Sequence, residues 1–237
     1  MKATSLNALL KARAEKRDVA LVTDLESGAE ALVVDGLAEG DLALDGGLSG
    51  AVKKAMAANE SRRVEENERS YFILVLSQPL RLAIIGAGHI SQYLSSMAAM
   101  AGFEVTIIDP RTTYATAPRF PGAELNHDWP EEALGALGID RRMAVVALSH
   151  DPKLDEPALA TAMKSDAFYI GALGSRKTQG ARRERMKEQG FSDADLDRIH
   201  GPVGLDIGAL SPPEIGISIV AQIIDVLRPK KKGIAPK

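Results

Sequence analysis

The sequence predicts an α/β protein: a parallel sheet with crossover helices in its carboxyl-terminal part, preceded by a small α+β domain. Three observations predict it. From residue 80 onward, β-branched apolar runs alternate with helical stretches of about 10–15 residues, the pattern of parallel strands joined by right-handed crossovers. The first of these runs, LRLAIIG, passes directly into a glycine turn and a helix. Before Gln78-Pro79 the apolar runs are short and joined by turns, as in an antiparallel unit. The domains expected are therefore 1–78, 79–228, and a basic, disordered tail at 229–237.

Each element has its own warrant. Leu6, Leu9 and Leu10 mark a helix from Ser5, its expected N-cap, to Lys16. VALVTDL (19–25) and AEALVVDG (29–36) read as strands around a Ser-Gly turn, and 42–45 as a short strand before the double glycine and a helix starting near Ser49. The charged run 60–69 leads into YFILVLS, an unbroken apolar run suited to a buried strand. In the second part, strands are expected at 80–86, 103–110, 123–126, 142–149 and 167–174, with helices at 89–102, 155–164 and 175–189. Residues 212–227 form a Pro-started helix whose Ile215, Ile219, Ile223 and Leu227 share one apolar face.

Composition narrows the function. The chain has 237 residues, 45% hydrophobic and 26% charged, which fits a globular protein and excludes collagen or wholesale disorder. A net charge of −3 gives no general attraction to polyanions, and 4% aromatics make a base-stacking platform improbable, so no nucleic-acid partner is expected. There are no cysteines, hence no disulfide, no thiolate metal ligand, and no side chain to carry a persulfide. Apolar runs fall short of the ~20 residues that span a bilayer, and the first residues lack a cleavable leader pattern, so a cytoplasmic protein without membrane contact is expected.

The first candidate site is the glycine turn. Gly86 permits the tight turn, Gly88 lets backbone approach a pyrophosphate at a helix N-terminus, and Asp109, closing the next strand, would accept from a ribose diol. This arrangement is Rossmann-like, with Ser91 at the third glycine's place. Asp109 disfavours a 2′-phosphate, whereas Arg111 could receive one, so NAD and NADP both stay open. His89 either donates to a phosphate or merely begins the helix.

In such sheets ligands lie beyond the carboxyl ends of the strands, which brings two more loops to the crevice. One carries His150, Asp151 and Lys153, candidates for ligand or acid–base work, with a loop-stapling Asx turn as the alternative for Asp151. The other carries Ser175, Arg176 and Lys177 at a helix start, an anion site unless the cations only continue a solvated basic helix. A third glycine-rich segment, 200–209, holds a buried-looking Asp206 between apolar residues: either its backbone closely approaches a ligand, or it is a tight connection in which Asp206 caps a helix or turn. No zinc-protease, EF-hand, P-loop or GxSxG pattern occurs, so no protein-bound metal is expected.

IIGAGHISQYL, VTIIDPR, ALSHDPKLDEPAL, SDAFYIGALGSRKT, RIHGPVGLDIGA and PPEIGISIVAQII resemble, in this order, the carboxyl-terminal Rossmann domain of the xanthine dehydrogenase accessory protein family (XdhC/CoxI type), over roughly 80–228. That resemblance implies a cytoplasmic, dimeric chaperone. It would bind molybdenum cofactor, protect it while a cysteine desulfurase installs the terminal sulfido ligand, and help insert it into a xanthine dehydrogenase-like apoenzyme. The family's amino-terminal Gly-Gly-Cys turn has its counterpart in DGGLSGAV, with Leu48 where the thiol would fall. Two other readings remain: an NAD-dependent oxidoreductase using His150 or Lys153 as the acid–base group, and a nucleotide-sensing module without catalysis.

Overall fold

A computed structural model describes residues 3–15, 17–76 and 79–228; the expected tail at 229–237 lies outside the described residues. The chain divides into two compact units, with the break after residue 78.

The first unit contains α1 (Ala3–Ala14), β1 (Val19–Asp24), β2 (Glu30–Val34), β3 (Leu37–Gly40), α2 (Gly46–Ala58), β4 (Arg62–Glu66) and β5 (Arg69–Leu76). Its antiparallel sheet runs β3-β2-β1-β5-β4. The central strand β1 is covered on both faces: Ala20 and Val22 pack with Leu48, Val52 and Ala55 of α2, while Val19 and Leu21 pack with Leu9 and Ala12 of α1. Burial on two faces explains why its sequence shows no apolar–polar alternation.

Several expectations shift here. Residues 42–45 form no strand, and β3 lies earlier. Helix α2 begins at Gly46, because the Asp45 carboxylate accepts the Leu48 N–H at 2.8 Å and caps it ahead of Ser49. Helix α1 already includes Ala3 and Thr4, so Ser5 is not its cap. The charged run after residue 60 contains β4, an edge strand whose charges suit the exposed edge of a sheet.

The second unit contains β6 (Leu80–Ile85), α3 (His89–Met100), β7 (Phe103–Ile108), β8 (Glu124–Asn126), α4 (Pro130–Leu137), β9 (Met143–Ala147), α5 (Pro152–Met163), β10 (Tyr169–Ala172), α6 (Arg176–Glu188), α7 (Asp193–Leu196), β11 (Ile199–His200) and α8 (Pro212–Leu227). The strands are all parallel in the order β11-β10-β9-β6-β7-β8, the Rossmann arrangement, which reverses between β6 and β9. Alternate residues of β6 enter opposite cores. Leu82 and Ile84 pack with Leu94 and Ala98 of α3 and Ile219 and Ile223 of α8, whereas Ala83 and Ile85 pack with Leu134 of α4 and Leu154, Ala158 and Leu159 of α5. The elements α4, α7 and β11 of this unit escaped the sequence reading. Helix α5 also starts earlier than expected, at Pro152, since Asp151 is its N-cap.

Candidate functional site

Strand register brings three loops to one edge of the second sheet. Ile85 pairs with Ala147, and Ala147 with Ala172, so the turns after β6, β9 and β10 leave adjacent strands side by side, about 4.8 Å from one to the next. The Gly86 turn is locked against the loop after β9. Its φ of +97° belongs to glycine, and a Cβ there would stand 2.6 Å from Ser149 Cα. Gly88 is the opposite case. It is the N-cap of α3, a Cβ on it would meet nothing within 4 Å, and no side chain caps the helix behind it. The amide donors that open α3 therefore face uncovered backbone, the condition for anion binding at a helix start. His89 is exposed at the first helical position, and Ser91 is buried, donating to Gly86 O at 2.6 Å.

Asp109 departs from its expected role. It is fully buried, and its carboxylate accepts from Ala87 N–H at 2.8 Å, from Arg111 N–H at 3.0 Å, and from Arg111 Nε and Nη2 at 2.9 and 2.8 Å. Both oxygens are engaged, so the residue staples the glycine turn and presents no open acceptor to a ribose. Burial alone would raise its carboxyl, but the Arg111 side chain and the two amides outweigh burial and hold it below the ordinary value. Arg111 in turn spends its fork on Asp109, with its guanidinium 4.8 Å from the centre of the Tyr114 ring.

The loop after β9 is built around Ser149, which the sequence reading did not single out. Its Oγ donates to Asp155 Oδ1 at 2.6 Å, and the same oxygen accepts from Ser149 N–H at 3.2 Å. Asp155 is buried, which pushes its carboxyl up despite Ser149 and the nearby charges of Arg182 and His150. His150 is exposed at φ +62°, and Lys153 is exposed as well. Asp151 accepts from Lys153 N–H at 3.0 Å, the Asx-type cap. Among the described residues, neither the His150 ring nor the Lys153 ammonium has a hydrogen-bonded side-chain partner.

The turn after β10 is held from behind by α6. Gln179 Nε2 donates to Ala172 O at 2.9 Å, and Arg182 Nη2 to Leu173 O at 3.1 Å. Ser175 caps α6 by accepting Thr178 N–H, while Arg176 and Lys177 are exposed beside it. Gln179, Arg182 and Asp155 thus link the second and third loops, and the sequence offered little sign of it: RRERMKE reads uniformly as a solvated face. Asp206 corrects another expectation. It is exposed, within a segment where Ile207 is 55% and Leu210 89% exposed, so the apolar neighbours that suggested burial are themselves on the surface.

Chemically, the edge offers uncapped amides, hydroxyls and the exposed cations Lys153, Arg176 and Lys177, a set suited to a phosphorylated anion. No group of three or more potential ligands that could hold a metal occurs among the described residues, and no described helix is long and apolar enough to cross a membrane.

The chain is 34% identical over 154 residues to a protein of Bacillus subtilis named as a probable xanthine dehydrogenase subunit, covering 65% of this chain and 44% of that protein. It is 30% identical over 147 residues to the molybdenum cofactor insertion chaperone PaoD of Escherichia coli, covering 62% and 40%. It thus spans less than half the length of either relative. The crystal structure of a xanthine dehydrogenase from Bacillus halodurans superposes with a TM-score of 0.72 at 28% identity, over 98% of this chain and 66% of that one. Residues 82–223, the sheet that carries the Gly86 turn and the loops beside it, match the XdhC Rossmann domain, and the chain belongs to that family.

Proposed function

We propose that this protein is an accessory chaperone that binds molybdenum cofactor at the carboxyl edge of the second sheet, keeps it while sulfur is installed, and delivers it to a xanthine dehydrogenase-like apoenzyme. The observation that carries the reading is the bare turn at Gly88, open where a side chain would stand and leading into an uncapped helix. A pterin ending in a phosphate or dinucleotide would set that phosphate on the α3 amides, with His89 beside it. Ser175, Arg176 and Lys177, two strands away, would meet its other anionic groups, and His150, Asp151 and Lys153 would border it. Gly86, Asp109 and Arg111 would shape the turn. Family membership and the names of the two relatives support the same reading.

With no cysteine, the chain lacks any thiolate for sulfur or molybdenum, so a cysteine desulfurase partner would supply the sulfur. Leu48, at the place of the family's thiol, is a core residue packed with Val52 and Ala55. In this reading the protein works in the cytoplasm as a homodimer. The engagement of Asp109 with Ala87 and Arg111 disfavours NAD(P), whose ribose would want that carboxylate.

The test is to purify the protein from cells that make the cofactor, oxidise what it carries, and quantify the pterin by fluorescence. Gly88→Asp should fold, since its Cβ has room, yet lose retained pterin at least tenfold. Arg176→Ala should weaken binding by about 1.5–3 kcal/mol if it makes a charged hydrogen bond. Native protein that carries no pterin and does not speed activation of a molybdenum-dependent apoenzyme would end this reading.

A further inference from the structure

Strand β4 (Arg62–Glu66) ends the first sheet, with no strand beyond it among the described residues. Its sequence, RRVEE, reads backwards as the same pattern with the signs reversed. Which of its backbone groups face outward follows from the hairpin that joins it to β5. The turn consists of Asn67 and Glu68, both at left-handed φ (50° and 63°), between the paired Glu66 and Arg69. In a hairpin of that type the residues flanking the turn exchange both hydrogen bonds, and the ladder alternates from there. Val64 and Arg62 therefore also bond to β5, and the N–H and C=O of Arg63 and Glu65 point away from the sheet. Ser70, opposite Glu65, agrees: its carbonyl accepts Leu25 N–H at 2.9 Å on the β1 side of β5.

The side chains alternate as well. Arg62, Val64 and Glu66 lie on the α2 face. There Val64 packs with the core, Arg62 Nη2 donates to Ala51 O at 3.2 Å, and Glu66 lies against Gly47, where a Cβ would strike its carboxylate. Among the described residues Arg62 Nε–H has no acceptor, and neither Arg62 nor Glu66 has an ion-pair partner. Arg63 and Glu65 lie on the other face, 63% and 77% exposed and 3.7 Å from each other, and Arg63 also donates to the Ser70 hydroxyl at 2.7 Å.

We propose that β4 is the edge through which two copies of this chain join, antiparallel about a two-fold axis at Val64, into one continuous sheet. Arg63 of each copy then exchanges both backbone hydrogen bonds with Glu65 of the other, and Arg62 stands opposite Glu66, so every charge meets its opposite. The pattern also selects the register. The outward backbone groups permit shifts only by two residues, and such a shift sets Arg63 on Arg63 or Glu65 on Glu65. In-register parallel pairing would set every charge on its like. Charge on an edge ordinarily discourages pairing, but here the signs admit a second copy in a single register. One short strand makes a small interface, so the association is reversible and depends on concentration. The proposal gives the homodimer of the chaperone reading its interface and is independent of the cofactor site.

The test is sedimentation velocity of the full-length protein across the micromolar range. The native chain should form a concentration-dependent dimer. Arg63→Glu alone, or Glu65→Arg alone, turns both symmetry-related contacts from attraction to repulsion and should weaken self-association by about tenfold or more. Both side chains are exposed, so the fold should hold. Mixed in equal amounts, the two variants should regain the native affinity, because each again faces the opposite sign. A native chain that stays monomeric would overturn the proposal together with the homodimer. A dimer that neither substitution weakens would overturn the proposal alone and leave the homodimer standing. Variants that weaken the dimer without recovery on mixing would also overturn it, since misfolding gives that result and charge pairing does not.

Discussion

Replacing Asp109 with alanine tests whether this carboxylate holds the glycine turn together. Ala87 is fully buried, so its N–H would lose its acceptor with no water to take over, a cost of about 1–3 kcal/mol. The Arg111 side chain is 42% exposed and can rehydrate, so its share is about 0–1 kcal/mol. The expected loss is about 1–4 kcal/mol, and Asp109→Asn, which keeps one acceptor oxygen, should lose about half as much. The assay is urea unfolding followed by fluorescence of Trp129, the single tryptophan, which sits at the start of α4 and therefore reports the second unit. The pH dependence gives a second readout. The Asp109 carboxyl is held low in the folded chain, so its stabilisation is complete above the unfolded value near 3.9 and is lost as pH falls through the folded value. Asp109→Ala should lack that portion of the acid loss. A variant within about 0.5 kcal/mol of the native protein would refute the stapling role, since surface substitutions already fall in that range.

Three further outcomes follow from other contacts. Gly86→Ala should destabilise the second unit by more than about 2 kcal/mol in the same urea assay, combining a left-handed φ with a clash against the Ser149 backbone. Burial lowers the His200 imidazole, which stacks on Tyr169 at 4.7 Å, so the unfolded chain takes up a proton before the folded one. Stability should therefore fall as pH drops below about 6.5, and His200→Gln should flatten that slope in thermal melts across the range. Leu48→Ala should cost about 2–5 kcal/mol by calorimetry, because the side chain is 2% exposed in the first unit's core; a near-zero loss would return this position to the surface.

Much of the second sheet was legible because its signals are local. LRLAII followed by Gly86-Ala87-Gly88 and an uncharged helix specifies strand, turn and helix from neighbours in the chain. Strand β4 was hidden because edge strands carry charge, and charge also marks loops. Helix α4 has only eight residues and little periodicity to read. Asp206 misled because flanking Leu205 and Ile207 imply burial only if the segment packs, and it does not.

Residue order and composition suffice for the parallel sheet, the glycine turn with its helix, the want of any thiol, and the position of Asp109 at the end of β7. Each depends on residues close in the chain or on plain counts. Long-range packing is what completes Asp109's task, because Ala87 meets it through the pairing of β6 with β7, while Arg111 reaches it from two residues along the chain. Packing likewise sets Asp155 facing Arg182, and turns Arg182 from an apparently solvated helix into the protein interior. A carboxylate's role follows from which donors reach it, and that is set by contacts between strands and helices far apart in the chain.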